Sequence, residues 1–203
     1  MTSRAKTTYL TPEEYLAVER QNEYKSEYIN GEMFAMTGAS RRHNIITFNI
    51  ASALGPQLRG RPCEAYVNDM RVRIASRREY AYTYPDVTVV CGEPQFEDGH
   101  LDTLLNPTAL IEVLSESTER YDRGKKFSFY RTIESLAEYV LVAQDEHKIE
   151  QYTKQPDGRW LLSDHRSPEG VVELTSIQCT LALREVYDKV SLPPSDLKEG
   201  ELL

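Results

Sequence analysis

The stretch Leu110-Ile111-Glu112-Val113-Leu114-Ser115-Glu116-Ser117 decides the fold, because an acid sits inside an otherwise apolar run. Leu110, Ile111, Val113 and Leu114 leave no solvent face, which is the pattern of a strand covered on both sides. A carboxylate in that setting is costly unless a cation or hydrogen bonds compensate it. A second run of this kind, YPDVTVVCG at residues 84–92, carries Asp86 near its start. Alternation along a strand puts Asp86, Thr88 and Val90 on one face, and Leu110, Glu112 and Leu114 on one face of theirs. If the two strands are neighbours, both acids approach one point.

Working outward, residues 107–115 read as a central strand and 137–144 as another buried strand, with a helix over 117–133 between them. Residues 11–21 read as a helix capped by Thr11, with Pro12 at the first position and Glu14 completing a capping box. Residues 26–36 read as a hairpin around Asn30-Gly31. An amphipathic helix spans 43–58 and ends at Gly55-Pro56. Residues 63–74 and 84–92 read as strands joined by a charged turn, and 93–106 as an acidic surface loop. Residues 148–162 form a hairpin around Pro156-Asp157-Gly158, and 183–190 a short helix. This order argues for an α/β (α+β) sandwich around a mixed central sheet flanked by helices, with hairpins added at both ends.

A chain of 203 residues suits a single domain, with a core over about 9–190 and a frayed tail over 191–203. Cys63, Cys91 and Cys179 are widely spaced and odd in number, so they read as reduced thiols of a cytoplasmic protein. The first fifteen residues lack the apolar segment of a secretory signal, and no run is long enough for a membrane helix. The net charge of −8 opposes broad nonspecific nucleic-acid binding, but it is unevenly spread. Residues 93–119 hold seven acids and no Lys or Arg, whereas 56–78 and 120–131 are each locally +4. Two basic segments could line one cleft. There is no G-x-S-x-G, no phosphate-binding G-x-x-x-x-G-K-[ST] and no dinucleotide fingerprint.

Two carboxylates brought together repel unless a proton or cation joins them, and hard oxygen donors suit Mg²⁺ or Mn²⁺. Pro85-Asp86 followed by Glu112-Val113-Leu114 resembles the signature of the PD-(D/E)xK nuclease superfamily, with Leu114 in the place of the lysine. The segments YINGEMFAMTGASRRHN, TYPDVTVVCGEP, DTLLNPTALIEVLSESTERYDRGKKFSFYRTIESLAEYVLVAQD and DGRWLL look like the Uma-type family of restriction-endonuclease-like proteins. The likeness covers residues 9–190. It implies a restriction-endonuclease-like core and Mg²⁺- or Mn²⁺-dependent hydrolysis of DNA, leaving 5′-phosphate and 3′-hydroxyl ends. It implies that Asp86, Glu112 and the Val113 carbonyl hold the metal, and that the lysine has moved to the following helix. Helical spacing puts Lys126, Phe129, Tyr130 and Ile133 on one inward arc, with Lys125 beside it and Phe127 unaccounted for on the far side.

Lys126 is therefore the expected catalytic partner of Asp86 and Glu112. Glu32, His43, Asp69 and Lys125 are second-rank candidates for metal, water or substrate contacts. Structural readings stand beside these. Asp86 could cap a turn, Glu112 and Lys126 could form a bridge without chemistry, and His43 could be a satisfied core histidine. The aromatic run Phe127, Phe129, Tyr130 reads as core packing, and Trp160 as a hairpin anchor. The alternative function is a non-catalytic nucleic-acid-binding or interaction module on the same fold. Cutting both strands of a duplex is simplest with two active sites, which makes a homodimer plausible.

Overall fold

The computed structural model describes residues 9–76, 79–116 and 118–193. The expected frayed tail beyond Pro193 lies outside the described residues.

Local chemistry sets the first elements. Helix α1 (Pro12–Glu19) begins with the full capping box, Thr11 accepting from Glu14 N while the Glu14 side chain accepts from Thr11 N. Strands β1 (Ser26–Ile29) and β2 (Glu32–Ala35) form a hairpin whose turn residues take positive φ, 49° at Asn30 and 101° at Gly31. That is the conformation for which Asn-Gly is selected.

Helix α2 (Arg41–Leu58) starts two residues before the expected position, because Ser40 caps it by accepting from His43 N at 3.1 Å. Gly55-Pro56 does not end it. Pro56 lies in the last turn, where its missing N–H removes one ladder bond and leaves the rest intact.

Residues 63–74 are not one strand. Asn68 adopts φ 64° and breaks them into β3 (Cys63–Val67) and β4 (Arg71–Ala75), which enter different sheets. The same division separates β5 (Tyr80–Thr83) from β6 (Val87–Cys91), leaving Asp86 in the link between them. The acidic stretch 93–106 is more than a surface loop. Its β7 (Thr103–Leu104) pairs parallel with β4, and Asp98 and Asp102 bind Arg20.

The remaining elements are β8 (Ala109–Val113), α3 (Glu119–Tyr121), a π-helical turn (Asp122–Lys126), α4 (Phe127–Tyr130) and β9 (Glu138–Val142). Next come β10 (Ile149–Lys154), β11 (Trp160–His165), β12 (Val171–Leu174), β13 (Cys179–Ala182) and α5 (Leu183–Val186). Six strands run in the order β11-β10-β9-β8-β6-β3, and five in the order β2-β1-β5-β4-β7. The β8–β9 pair is parallel and its neighbours are antiparallel, so the sheet is mixed as expected, with β8 in its interior.

Alternation along β8 distributes the core. Ile111 and Val113 pack with α2 residues Ile46, Ile50 and Leu54 on one face. Leu110 and Leu114 pack with Phe129, Tyr130 and the β4 residues Val72 and Ile74 on the other. The five-stranded sheet thus covers the second face of the six-stranded one, and α1 packs Tyr15 and Leu16 against Tyr28 and Tyr82 of that sheet. Among the described residues, no helix is long and apolar enough to cross a membrane.

The cysteines correct the sequence reading. Cys63 and Cys91 face each other in the β3–β6 ladder and are joined by a disulfide, while Cys179 is a buried free thiol. The 28-residue separation conceals a pairing that only strand register creates.

Candidate active site

Strand register delivers the acid pair. Val87 stands opposite Ile111 in the β6–β8 ladder, so continuing the antiparallel register by one residue sets Asp86 opposite Glu112. The Val113 N–H donates to Asp86 Oδ2 at 2.7 Å, fixing the carboxylate against the strand that carries Glu112. His43 Nε2 lies 3.2 Å from the same oxygen, and Thr47 Oγ1 approaches His43 Nδ1 from the next turn of α2. The start of α2 is held in place by Ser40, which donates to Gln144 Oε1 while the Gln144 amide donates to Leu114 O.

Lys126 supplies the cation. Its Nζ lies 2.9 Å from Glu112 Oε1, 3.1 Å from Glu27 Oε1 and 3.5 Å from Asp122 Oδ1. The ammonium comes from the helical segment after the Glu112 strand, as the inward arc predicts, while Leu114 is apolar core. The π turn explains how. Phe127 N bonds back to Asp122 O, so the wider turn aims both Lys126 and Phe127 at the protein. Phe127, which simple helical spacing places outside, instead packs against Tyr152, Tyr139 and Trp160. Phe129 and Tyr130 are core, and Trp160 is a half-buried neighbour of that cluster.

Other donors tie down the acids. Tyr130 Oη donates to Glu112 Oε1 at 2.8 Å and lies 2.9 Å from Thr83 Oγ1. Glu27 accepts from Tyr84 N at 3.4 Å and from Tyr121 Oη at 3.5 Å. Burial pushes the Glu112 carboxyl well above the usual range, and the charges of Asp122 and Asp86 push the same way against Lys126. Burial also raises Asp122. Burial alone would discharge Lys126, but Glu112, Tyr130, Glu27 and Asp122 outweigh it and hold the ammonium protonated. One buried lysine thus faces three carboxylates, with Asp86 beside them.

These groups form the floor of an open cleft of ≈ 1920 Å³. His43, Asp69 and Lys125 also line it. Asp69 is exposed and bound to Lys25, and Lys125 is exposed at the rim. Glu32 is not part of the lining; its pairing with Ile29 leaves it at the turn end of the hairpin. The hairpin's contribution is Glu27, which sequence reasoning missed. Asp122 was also missed, although its i,i+4 spacing to Lys126 is a readable signal.

Among the described residues no three His, Cys, Asp or Glu side chains are gathered closely enough to hold a metal ion by themselves. Lys126 stands between the carboxylates instead. The donor chemistry nevertheless fits a hard divalent cation: register sets two acids opposite one another, and the local acid charge exceeds what Lys126 balances.

The Uma2 family, described as "Putative restriction endonuclease", matches residues 12–184. The chain belongs to this family. Two uncharacterized Synechocystis proteins are similar along most of their length. One is 41% identical over 171 residues, 84% of this chain and 96% of the relative. The other is 35% identical over 178 residues, 88% of this chain and 91% of the relative. A crystal structure from Anabaena variabilis, described as a putative nuclease, superposes with a TM-score of 0.70 at 20% identity. It covers 90% of this chain and 99% of its own, and the shared feature at that identity is the fold. The Uma2 fold is therefore restriction-endonuclease-like, as the sequence resemblance implied.

Proposed function

We propose that this Uma2 chain is a Mg²⁺- or Mn²⁺-dependent endonuclease that hydrolyses phosphodiester bonds in DNA. The carrying observation is the juxtaposition of Asp86 with a buried Glu112–Lys126 pair at the floor of an open cleft. Asp86 and Glu112 would hold the cation. The Val113 carbonyl would be a third donor, because it lies on the same edge of β8 as the N–H bound to Asp86. A divalent cation there would supply Lewis acidity toward a phosphate oxygen and an attacking water.

The chain's own groups perform the rest. The Val113 N–H and His43 hold the Asp86 carboxylate in one orientation. Tyr130 and Lys126 do the same for Glu112. Lys126 keeps its proton, so its role is electrostatic: it stabilises negative charge developing on the phosphate and orients the water. Glu27 and Asp122 act as positioning residues that fix the ammonium.

One observation favours a non-catalytic nucleic-acid-binding module instead: Lys126 already bridges the carboxylates within a closed ion-pair set. Plasmid nicking separates the readings. Wild type should nick supercoiled DNA with Mn²⁺ and stop in EDTA, while Glu112→Gln, folded by circular dichroism, should lose at least about a hundredfold in rate. A folded wild type that binds DNA and never nicks it supports the binding module.

A further inference from the structure

We infer that the cleft receives an unpaired DNA strand, with Tyr24 and Phe34 as the rings on which its bases stack. This inference rests on the nuclease reading for the nature of the ligand and deepens it by naming the substrate class. Both rings line the cleft, and both are exposed, Tyr24 at 77% and Phe34 at 45%. Neither makes a ring–ring contact among the described residues, unlike the tyrosines of the core, so neither ring is already stacked on another. Phe34 pairs with Glu27 across the β1–β2 hairpin, which puts it on the same face as a carboxylate that holds Lys126.

The depth of the site points the same way. Glu112 and Lys126 each expose only 6% of their side chains, so a phosphate must descend into the cleft to meet them. Duplex DNA is stiff over about 50 nm and resists bending into such a recess. A single strand turns at each nucleotide and can place one phosphate at the floor while its bases lie on the rim.

Charge by itself does not draw the strand in. Arg41, Arg42 and Lys125 line the cleft with no carboxylate partner among the described residues, and Lys25 pairs with exposed Asp69 and donates to Asn68 O. Among the described residues ten acids line the cleft against five Lys and Arg, so the lining is net acidic and stacking must carry much of the affinity. A strand cut one phosphodiester at a time needs a single active site, so the homodimer expected for duplex cleavage is not required.

The test is fluorescence anisotropy in Ca²⁺, a hard cation that takes oxygen ligands without the strict octahedral geometry of Mg²⁺, using one labelled mixed-sequence DNA oligonucleotide either alone or annealed to its complement. Wild type should bind the single strand about tenfold more tightly than the duplex or better. The double variant Tyr24→Ala/Phe34→Ala should lose about tenfold or more on the single strand and little on the duplex. Tyr24→Trp/Phe34→Trp should retain single-strand binding. Because both rings are exposed, melting temperatures should stay unchanged. Equal or tighter duplex binding, no binding of either form, or an alanine variant that binds the single strand like wild type overturns the inference. Cleavage of the same labelled single strand and of its duplex in Mn²⁺ is read separately. Single-strand preference without any Mn²⁺-dependent cleavage leaves this inference standing and overturns the nuclease reading. Cleavage without strand preference does the reverse.

Discussion

Two ion-pair clusters in this molecule resemble each other in their contacts and differ in their charge balance. On the outer side, Arg20 and Arg71 bind Asp102, and Arg20 also reaches Asp98. Two guanidiniums meet two carboxylates, and the Arg20 interaction with Asp102 is bidentate. At the cleft floor one ammonium meets Glu27, Glu112 and Asp122, with Asp86 alongside. The first cluster is satisfied by what the chain provides; it clips the acidic stretch to α1 and β4. The second carries more acid than its lysine balances, and that excess is what a divalent cation would answer. Matched charge serves the fold here, and mismatched charge marks the place where chemistry is proposed.

The contrast predicts opposite responses to substitution and pH. The largest effect should come from Lys126→Met, which strands three buried carboxylates. Urea denaturation at pH 8 should show a loss of about 3–5 kcal/mol. The loss should shrink at pH 5, where the carboxyls can take up protons. A loss unchanged between the two conditions would mean that Lys126 stabilises through packing.

Asp102→Asn should cost less, about 1–2 kcal/mol at pH 7, after allowing for its partial exposure. The side-chain hydrogen bond from Arg20 leads the causes that hold the Asp102 carboxyl far below the usual range, against burial. A carboxyl depressed in the fold gives stability that is present above its unfolded pKa and lost as pH falls toward the folded one. The gap between wild type and Asp102→Asn should therefore close in acid, measured by thermal melts from pH 7 to pH 2.

Glu112→Gln should have the smallest effect on stability and the opposite pH slope. Burial raises the Glu112 carboxyl in the fold. Its contribution is present below the unfolded pKa and lost as pH rises through the folded one. The variant should gain stability relative to wild type between pH 5 and pH 9. A relative loss with rising pH would contradict the acid-excess description of the cleft floor.

The two clusters also differ in how far the sequence discloses them. Glu112 is conspicuous because an acid inside LIEVL has no bland place to go. Lys126 follows from helical spacing, although the π turn that also brings Phe127 inward is a property of backbone winding that residue identity does not announce. Glu27 escapes notice because it sits between Ser26 and Tyr28 in a four-residue strand, too short for alternation to speak. Glu32 attracts attention beside a legible turn and is then carried away by the hairpin register. The Asp98–Arg20–Asp102–Arg71 clip joins residues up to 82 apart, so no local pattern reports it. The Cys63–Cys91 bond is hidden for the same reason. Caps and tight turns are local chemistry; sheet membership and ion-pair partners are decided by register between distant strands.

The most direct measurement is calorimetric titration of Mn²⁺ into wild type and into the Asp86→Ala/Glu112→Ala variant, with folding checked by circular dichroism. The account predicts saturable binding to wild type that disappears in the folded variant. Equal binding by both proteins, or none by a well-folded wild type, would contradict the claim that the acid excess at the cleft floor is a cation site.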